Sequence, residues 1–180
     1  EKQKSVLFAG TLNERKGYSD LIKAFALIAR KFPDWKLVFA GNGEIEAATE
    51  LSKSLGILSQ VDFKGWVSGP EKETLFAEAS VFCLPSYAEG FPMAVLDAWA
   101  FGLPVIATPV GGLPDIVVHG ENAMIFNPGN IEELKANLEI LLTDDLFREK
   151  LRVLSLILSN EIFDIKVIAH KIDELYSTLV

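Results

Sequence analysis

Two carboxylates, Glu89 and Asp97, stand eight positions apart around the start of a stretch that is otherwise apolar. The segment reads Pro85-Ser-Tyr-Ala-Glu-Gly-Phe-Pro-Met-Ala-Val-Leu-Asp-Ala-Trp-Ala-Phe-Gly102. From residue 93 to 101 it reads as a helix apolar on every side except at Asp97, and such a helix is a buried one. A carboxylate in that setting needs a partner or is neutralised. Two acids near one end of a central helix can accept hydrogen bonds from several hydroxyl donors, which is what a sugar or a ribose presents. Pro92 suits the first turn, where a missing N–H is harmless. The N–H groups of Phe91, Met93 and Ala94 are then free to face phosphate oxygens. The plainer alternative makes Glu89 a helix-start acid and places Asp97 in a buried ion pair.

A second cluster lies near the amino terminus, in Gly10-Thr-Leu-Asn-Glu-Arg-Lys-Gly17. Two glycines bracket the loop, and Arg15 and Lys16 precede a helix. Exposed amides, the positive end of the helix dipole and a lysine together make an anion site. The alternative is an ordinary loop with both cations solvated. The spacing is neither that of a Walker loop nor GxGxxG, and Gly41-Asn-Gly43 lacks a third glycine.

The elements that must carry these residues follow a β-α rhythm. Residues 6–10, 36–41, 61–63, 81–84, 105–107 and 123–126 read as strands, each a continuous apolar run expected of strands buried on both faces of a parallel sheet. Residues 18–31, 44–55, 70–79 and 93–101 read as helices, and three more close the chain at 131–142, 145–158 and 164–179. The expected fold is α/β: one doubly wound parallel sheet of about six strands, Rossmann-like, with additional carboxyl-terminal helices. In such sheets ligands sit beyond the carboxyl ends of the strands, where both clusters fall. Trp66 belongs to the loop after the third strand, either beside a nucleobase or in core or edge packing.

Composition narrows the partners. The 25 acidic against 17 basic residues leave a net charge of −8, which argues against a nucleic-acid backbone. Phosphate must therefore be held by a local device. Cys83, the single cysteine, lies in an apolar run and reads as a small core residue. No uninterrupted apolar stretch reaches the roughly 18–20 residues of a membrane span, and no metal-ligand cluster is visible. The chain opens at Glu1 without a methionine, as a segment of a longer protein would. His119 and His170 read as surface residues.

These residues resemble the large retaining glycosyltransferase family four (group 1 glycosyltransferases), whose members pair two Rossmann-like domains across a cleft in the GT-B fold. The resemblance is carried by Pro85-Ser86, Glu89-Gly90-Phe91, Asp97, Gly102-Leu-Pro-Val-Ile-Ala-Thr and Gly111-Gly-Leu-Pro-Asp115. It covers residues 1–180 as one nucleotide-sugar-binding domain, one half of a GT-B fold, without the acceptor-binding amino-terminal domain. It implies transfer of a hexose from a UDP- or GDP-hexose to a hydroxyl, with retention. It implies no further cofactor and no metal. Lys16, with Arg15 and helix amides, would stabilise the departing diphosphate, Glu89 would orient the sugar, and Asp97 would meet the ribose. The implied donor-binding set is Gly10, Thr11, Arg15, Lys16, Gly17, Trp66, Glu89, Gly90, Phe91, Pro92, Met93, Ala94 and Asp97.

Three positions depart from the family pattern. Asp97 stands where glutamate is usual, Thr11 where many members carry arginine, and Asp115 where glutamate follows the Gly-Gly-x-Pro turn. The family commonly uses lipid-linked or polysaccharide acceptors, which implies a cytoplasmic protein, or one peripheral to the inner face of a membrane. An epimerase or phosphorylase-like enzyme of the same fold is an alternative, as is a non-catalytic binding or interface module. In the family a helix corresponding to 164–179 returns toward the other domain, so apolar surface is expected there.

Overall fold

The computed structural model describes residues 2–178. Six parallel strands, β1 (Ser5–Ala9), β2 (Lys36–Ala40), β3 (Val61–Gly65), β4 (Val81–Leu84), β5 (Val105–Ala107) and β6 (Met124–Ile125), form one sheet in the order β3-β2-β1-β4-β5-β6. The central strands β4 and β5 are buried along their whole length, whereas the edge strand β3 is only partly covered. That gradient is why the central runs are the most continuously apolar.

Right-handed crossovers distribute the helices. α1 (Tyr18–Ala26) packs against α2 (Ile45–Ser54) and α5 (Ile131–Thr143) on one face. On the other, α4 (Met93–Ala100) packs against α6 (Asp145–Glu161), and Phe76 of α3 (Gly69–Glu78) stacks on Phe82 and lies tilted against Phe101. Phe8, Phe39 and Phe63 run as a ring ladder across β1, β2 and β3, with centroids 5.4 and 5.3 Å apart.

The first long helix is shorter than its apolar spacing suggests. α1 ends at Ala26, and residues 27–31 continue as turns. The amides of Ile28 and Lys31 bond three residues back, to Phe25 and Ile28. The tightening lets the chain leave the helix before Pro33, which disfavours a helical residue ahead of it. The last helix, α7 (Ile165–Thr178), starts one residue later than the expected 164, and residue 179 lies outside the described residues. Ile165, Ile172, Leu175 and Tyr176 of α7 are exposed, giving the apolar surface anticipated there. Among the described residues no helix is long and apolar enough to cross a membrane.

The strand order reverses between β1 and β4, and a doubly wound sheet opens its crevice at such a switch point. The loops that leave β1 and β4 are therefore neighbours in space despite more than seventy intervening residues.

Candidate functional site

The loop after β1 is folded as a clasp. Asn13 caps a 3-10 turn over Glu14–Lys16 by accepting the Lys16 amide at 3.0 Å. Gly17 then turns left-handed, with φ +67°, and a Cβ there would sit 2.0 Å from the carbonyl oxygen of Pro85. Only glycine allows both that conformation and that approach. The Tyr87 amide donates to the Arg15 carbonyl at 2.8 Å, so the loops leaving β1 and β4 are laced backbone to backbone.

Lacing sets the side chains. Lys16 Nζ lies 2.6 Å from Glu89 Oε1, in a pair whose side chains are only 18% and 7% exposed. Ser86 Oγ, fully buried, donates to the same Oε1 at 2.6 Å. Thr108 Oγ1, from the end of β5, donates to the Ser86 carbonyl and fixes that residue in turn. Among the described residues Glu89 Oε2 accepts no hydrogen bond, and the Arg15 guanidinium, which is exposed, makes no ion pair. Lys16 keeps two of its three protons for another acceptor.

Beside this pair a cleft of about 450 Å³ opens over the carboxyl ends of β1, β2 and β3. It is lined by Gly10, Thr11, Asn42, Trp66, Lys72, Ala94 and Asp97, among others. Its floor is backbone: the amides of Gly10 and Leu12 donate to the carbonyls of Ala40 and Asn42. Gly41 permits this approach, since a Cβ there would lie 1.9 Å from Gly10 O. At the inner wall Lys72 Nζ lies 2.7 Å from Asp97 Oδ2, with the two side chains 42% and 37% exposed.

The structure thus divides the expected residues into three groups. Lys16 and Glu89 meet directly; Gly10, Thr11, Trp66, Ala94 and Asp97 line the cleft; Gly90 and Phe91 on the loop and Met93 at the start of α4 are exposed. Three expectations change. Trp66 is 73% exposed at the mouth of the cleft, so core or edge packing is not its role. Asp97 has its ion pair, but a half-exposed one with Lys72. Pro92 lies ahead of the first helical turn, where φ −79° and ψ 85° make an inverse γ-turn, and the Met93 amide is spent on Phe91 O at 2.9 Å. The amides of Phe91 and Ala94 make no hydrogen bond among the described residues.

Sequence reasoning missed Lys72, Asn42 and the anchoring roles of Ser86 and Thr108. Nothing in the 70–79 spacing distinguishes Lys72 from a solvated lysine; only the fold sets it against α4. His119 and His170 lie elsewhere, paired with the Ile125 amide and with Glu174. Cys83 is fully buried, and burial raises its thiol pKa far above the ordinary value.

Residues 1–153 match the family model described as Glycosyl transferases group 1. The chain belongs to that family. A glycosyltransferase of Haemophilus influenzae is 35% identical over 145 residues, covering 79% of this chain and 40% of that protein. The carboxyl-terminal domain of a glycosyl transferase group 1 protein (LpcC) from Francisella tularensis superposes with a TM-score of 0.82 at 26% identity, covering 91% of this chain and 88% of that one. Anabaena HepE, solved in complex with UDP, shares the fold, with a TM-score of 0.88 at 23% identity over 98% of this chain and 49% of its own. The chain spans about 40% of the length of the relatives it matches.

Proposed function

We propose that this chain is the donor-binding half of a retaining glycosyltransferase that moves a hexose from a nucleoside diphosphate sugar to a hydroxyl acceptor. The observation that carries the reading is the Lys16–Glu89 pair at the sheet's switch point, with Lys16 against Gly10, which lines the cleft together with Asp97 and Trp66.

The geometry supports the following division of labour. The nucleoside occupies the cleft, with its base toward the exposed ring of Trp66 and its ribose toward Asp97. The diphosphate runs along the free amides of Phe91 and Ala94 toward Lys16 and Arg15. During transfer the bond from the anomeric carbon to the diphosphate oxygen breaks, that carbon bonds to the acceptor hydroxyl oxygen, and the hydroxyl proton passes to the departing phosphate oxygen. Negative charge grows on the departing diphosphate. Preorganised cations and amides stabilise it where it develops.

Glu89 orients the sugar in this scheme. Its Oε1 already accepts from Lys16 and Ser86, which lowers its nucleophilicity, while Oε2 is left to accept from a sugar hydroxyl. Glu89 also holds Lys16 in place for the phosphate. The acceptor, lipid-linked or polysaccharide, is bound by a second domain outside this chain, and the cytoplasmic face of a membrane is the corresponding site of action.

Equilibrium titration of the chain with UDP, GDP, ADP and their sugars tests the donor assignment. UDP is the first probe, because HepE of the same fold was solved with it. Saturable binding of one nucleotide family is expected. A folded chain that binds none of them is instead a non-catalytic module. Retained anomeric configuration in the product of the full-length protein separates transfer from epimerisation.

A further inference from the structure

We infer that Lys72 and Asp97 act as one recognition unit for the ribose of the donor, with Lys72 a contact residue of the nucleotide site. The inference rests on the functional reading above and names a residue outside the set that reading drew on.

Lys72 lies in the first turns of α3 and Asp97 in the second turn of α4, and the two helices present them to the same wall of the cleft. The ammonium is held on two sides. Its Nζ is 2.7 Å from Asp97 Oδ2 and 5.6 Å from the centre of the buried Phe76 ring. A cation so placed gains from both the carboxylate and the ring face. An ammonium carries three protons, and Asp97 takes only one. Asp97 Oδ1 accepts no hydrogen bond among the described residues. The pair therefore offers the cleft a fixed donor beside a fixed acceptor.

A ribose hydroxyl is itself a donor and an acceptor. A carboxylate alone satisfies the O–H and leaves the oxygen lone pairs to water. The Lys72–Asp97 pair satisfies both at once, and it can do so for a vicinal diol. A site built to pair with a hydroxyl rejects the analogue that lacks it, because its own polar groups are then left unpaired. The pair is partly open to solvent, so water compensates some of that loss. Discrimination of about tenfold between ribose and 2′-deoxyribose is expected, the scale of one modest charge-assisted hydrogen bond.

Isothermal titration with UDP, GDP and ADP and their 2′-deoxy counterparts decides the matter for the wild type, Lys72→Met and Lys72→Arg. The wild type should prefer the ribonucleotide by about tenfold. Lys72→Met should weaken ribonucleotide binding by a similar factor and bring the preference below about twofold, while Lys72→Arg retains most of it. Lys72→Gln, measured alongside, covers the case in which Lys72→Met does not fold. If Lys72→Met and Lys72→Gln keep the full preference, or if the wild type shows none, the inference is overturned while the donor assignment stands. If the folded wild type binds no nucleotide, the donor assignment falls and takes the inference with it.

Discussion

Lys16–Glu89 and Lys72–Asp97 are both lysine–carboxylate pairs of nearly equal length. Their surroundings differ. The first is largely withdrawn from water, shares its carboxylate oxygen with a buried serine and bridges two loops sutured through Gly17. The second is half-exposed, joins two helices and lines an open cleft. A desolvated pair is costly to assemble and costly to break from one side. An exposed pair contributes little to stability and yields readily to a ligand. The contrast is between a pair suited to fix geometry, which we propose faces the reacting end of the donor, and a pair suited to read a ligand, which we propose faces its nucleoside end.

The largest expected effect falls on the fixed side. Lys16→Ala in the full-length protein should lower kcat by about 10²–10³-fold, the usual loss for one preorganised electrostatic donor. Steady-state kinetics at saturating donor reads it, and a wild-type kcat would remove Lys16 from the reaction. Gly17→Ala strikes the suture that positions it. The substitution meets both the left-handed φ and the Pro85 carbonyl, so a loss of about 3 kcal/mol in folding stability is expected. Denaturant titration measures this, and an unchanged midpoint would mean that the two loops do not touch.

The comparison itself is broken or kept by two near-isosteric changes. Glu89→Gln removes the charge opposite a mostly buried ammonium and should cost about 1–3 kcal/mol. Asp97→Asn removes the charge opposite a half-exposed one and should cost less than about 1 kcal/mol. The same denaturant titration ranks them. Equal losses would show that burial does not distinguish the pairs.

What was legible in the sequence follows the same divide. The strands that hold the site are continuous apolar runs, so their placement, and with it the carboxyl edge of the sheet, could be read directly. Lys16, Glu89 and Asp97 could be named because charge interrupts apolar or glycine-rich segments there. Their pairing could not. Lys16 meets Glu89 only because β1 and β4 are neighbours in the sheet order, and strand order is a property of the whole chain. Lys72 was invisible for a related reason: a lysine in the first turns of a surface helix has no local mark until α4 packs beside it. Trp66 stayed ambiguous because its size also suits a core, although its loop leaves an edge strand with little to cover it.

An effect of similarly small size concerns the floor of the cleft. Tyr18 OH donates to Glu44 Oε2 at 2.8 Å, and the Glu44 amide donates to Leu12 O, tying α1 to the two loops beneath the cleft. Burial first, then the hydrogen bond and charge of Glu44, push the Tyr18 hydroxyl from its ordinary 10.0 up to about 12. The folded chain therefore holds this proton after the unfolded chain has released it. Its contribution to stability is complete below pH 10 and is lost as pH rises from 10 toward about 12. A loss of about 1 kcal/mol from this group is expected across that window, the usual worth of such a hydrogen bond. Tyr18→Phe should flatten that part of the stability profile, because phenylalanine has no proton to lose. If the wild type and Tyr18→Phe decline in parallel above pH 10, the alkaline sensitivity belongs to other groups, and the floor of the cleft does not depend on Tyr18.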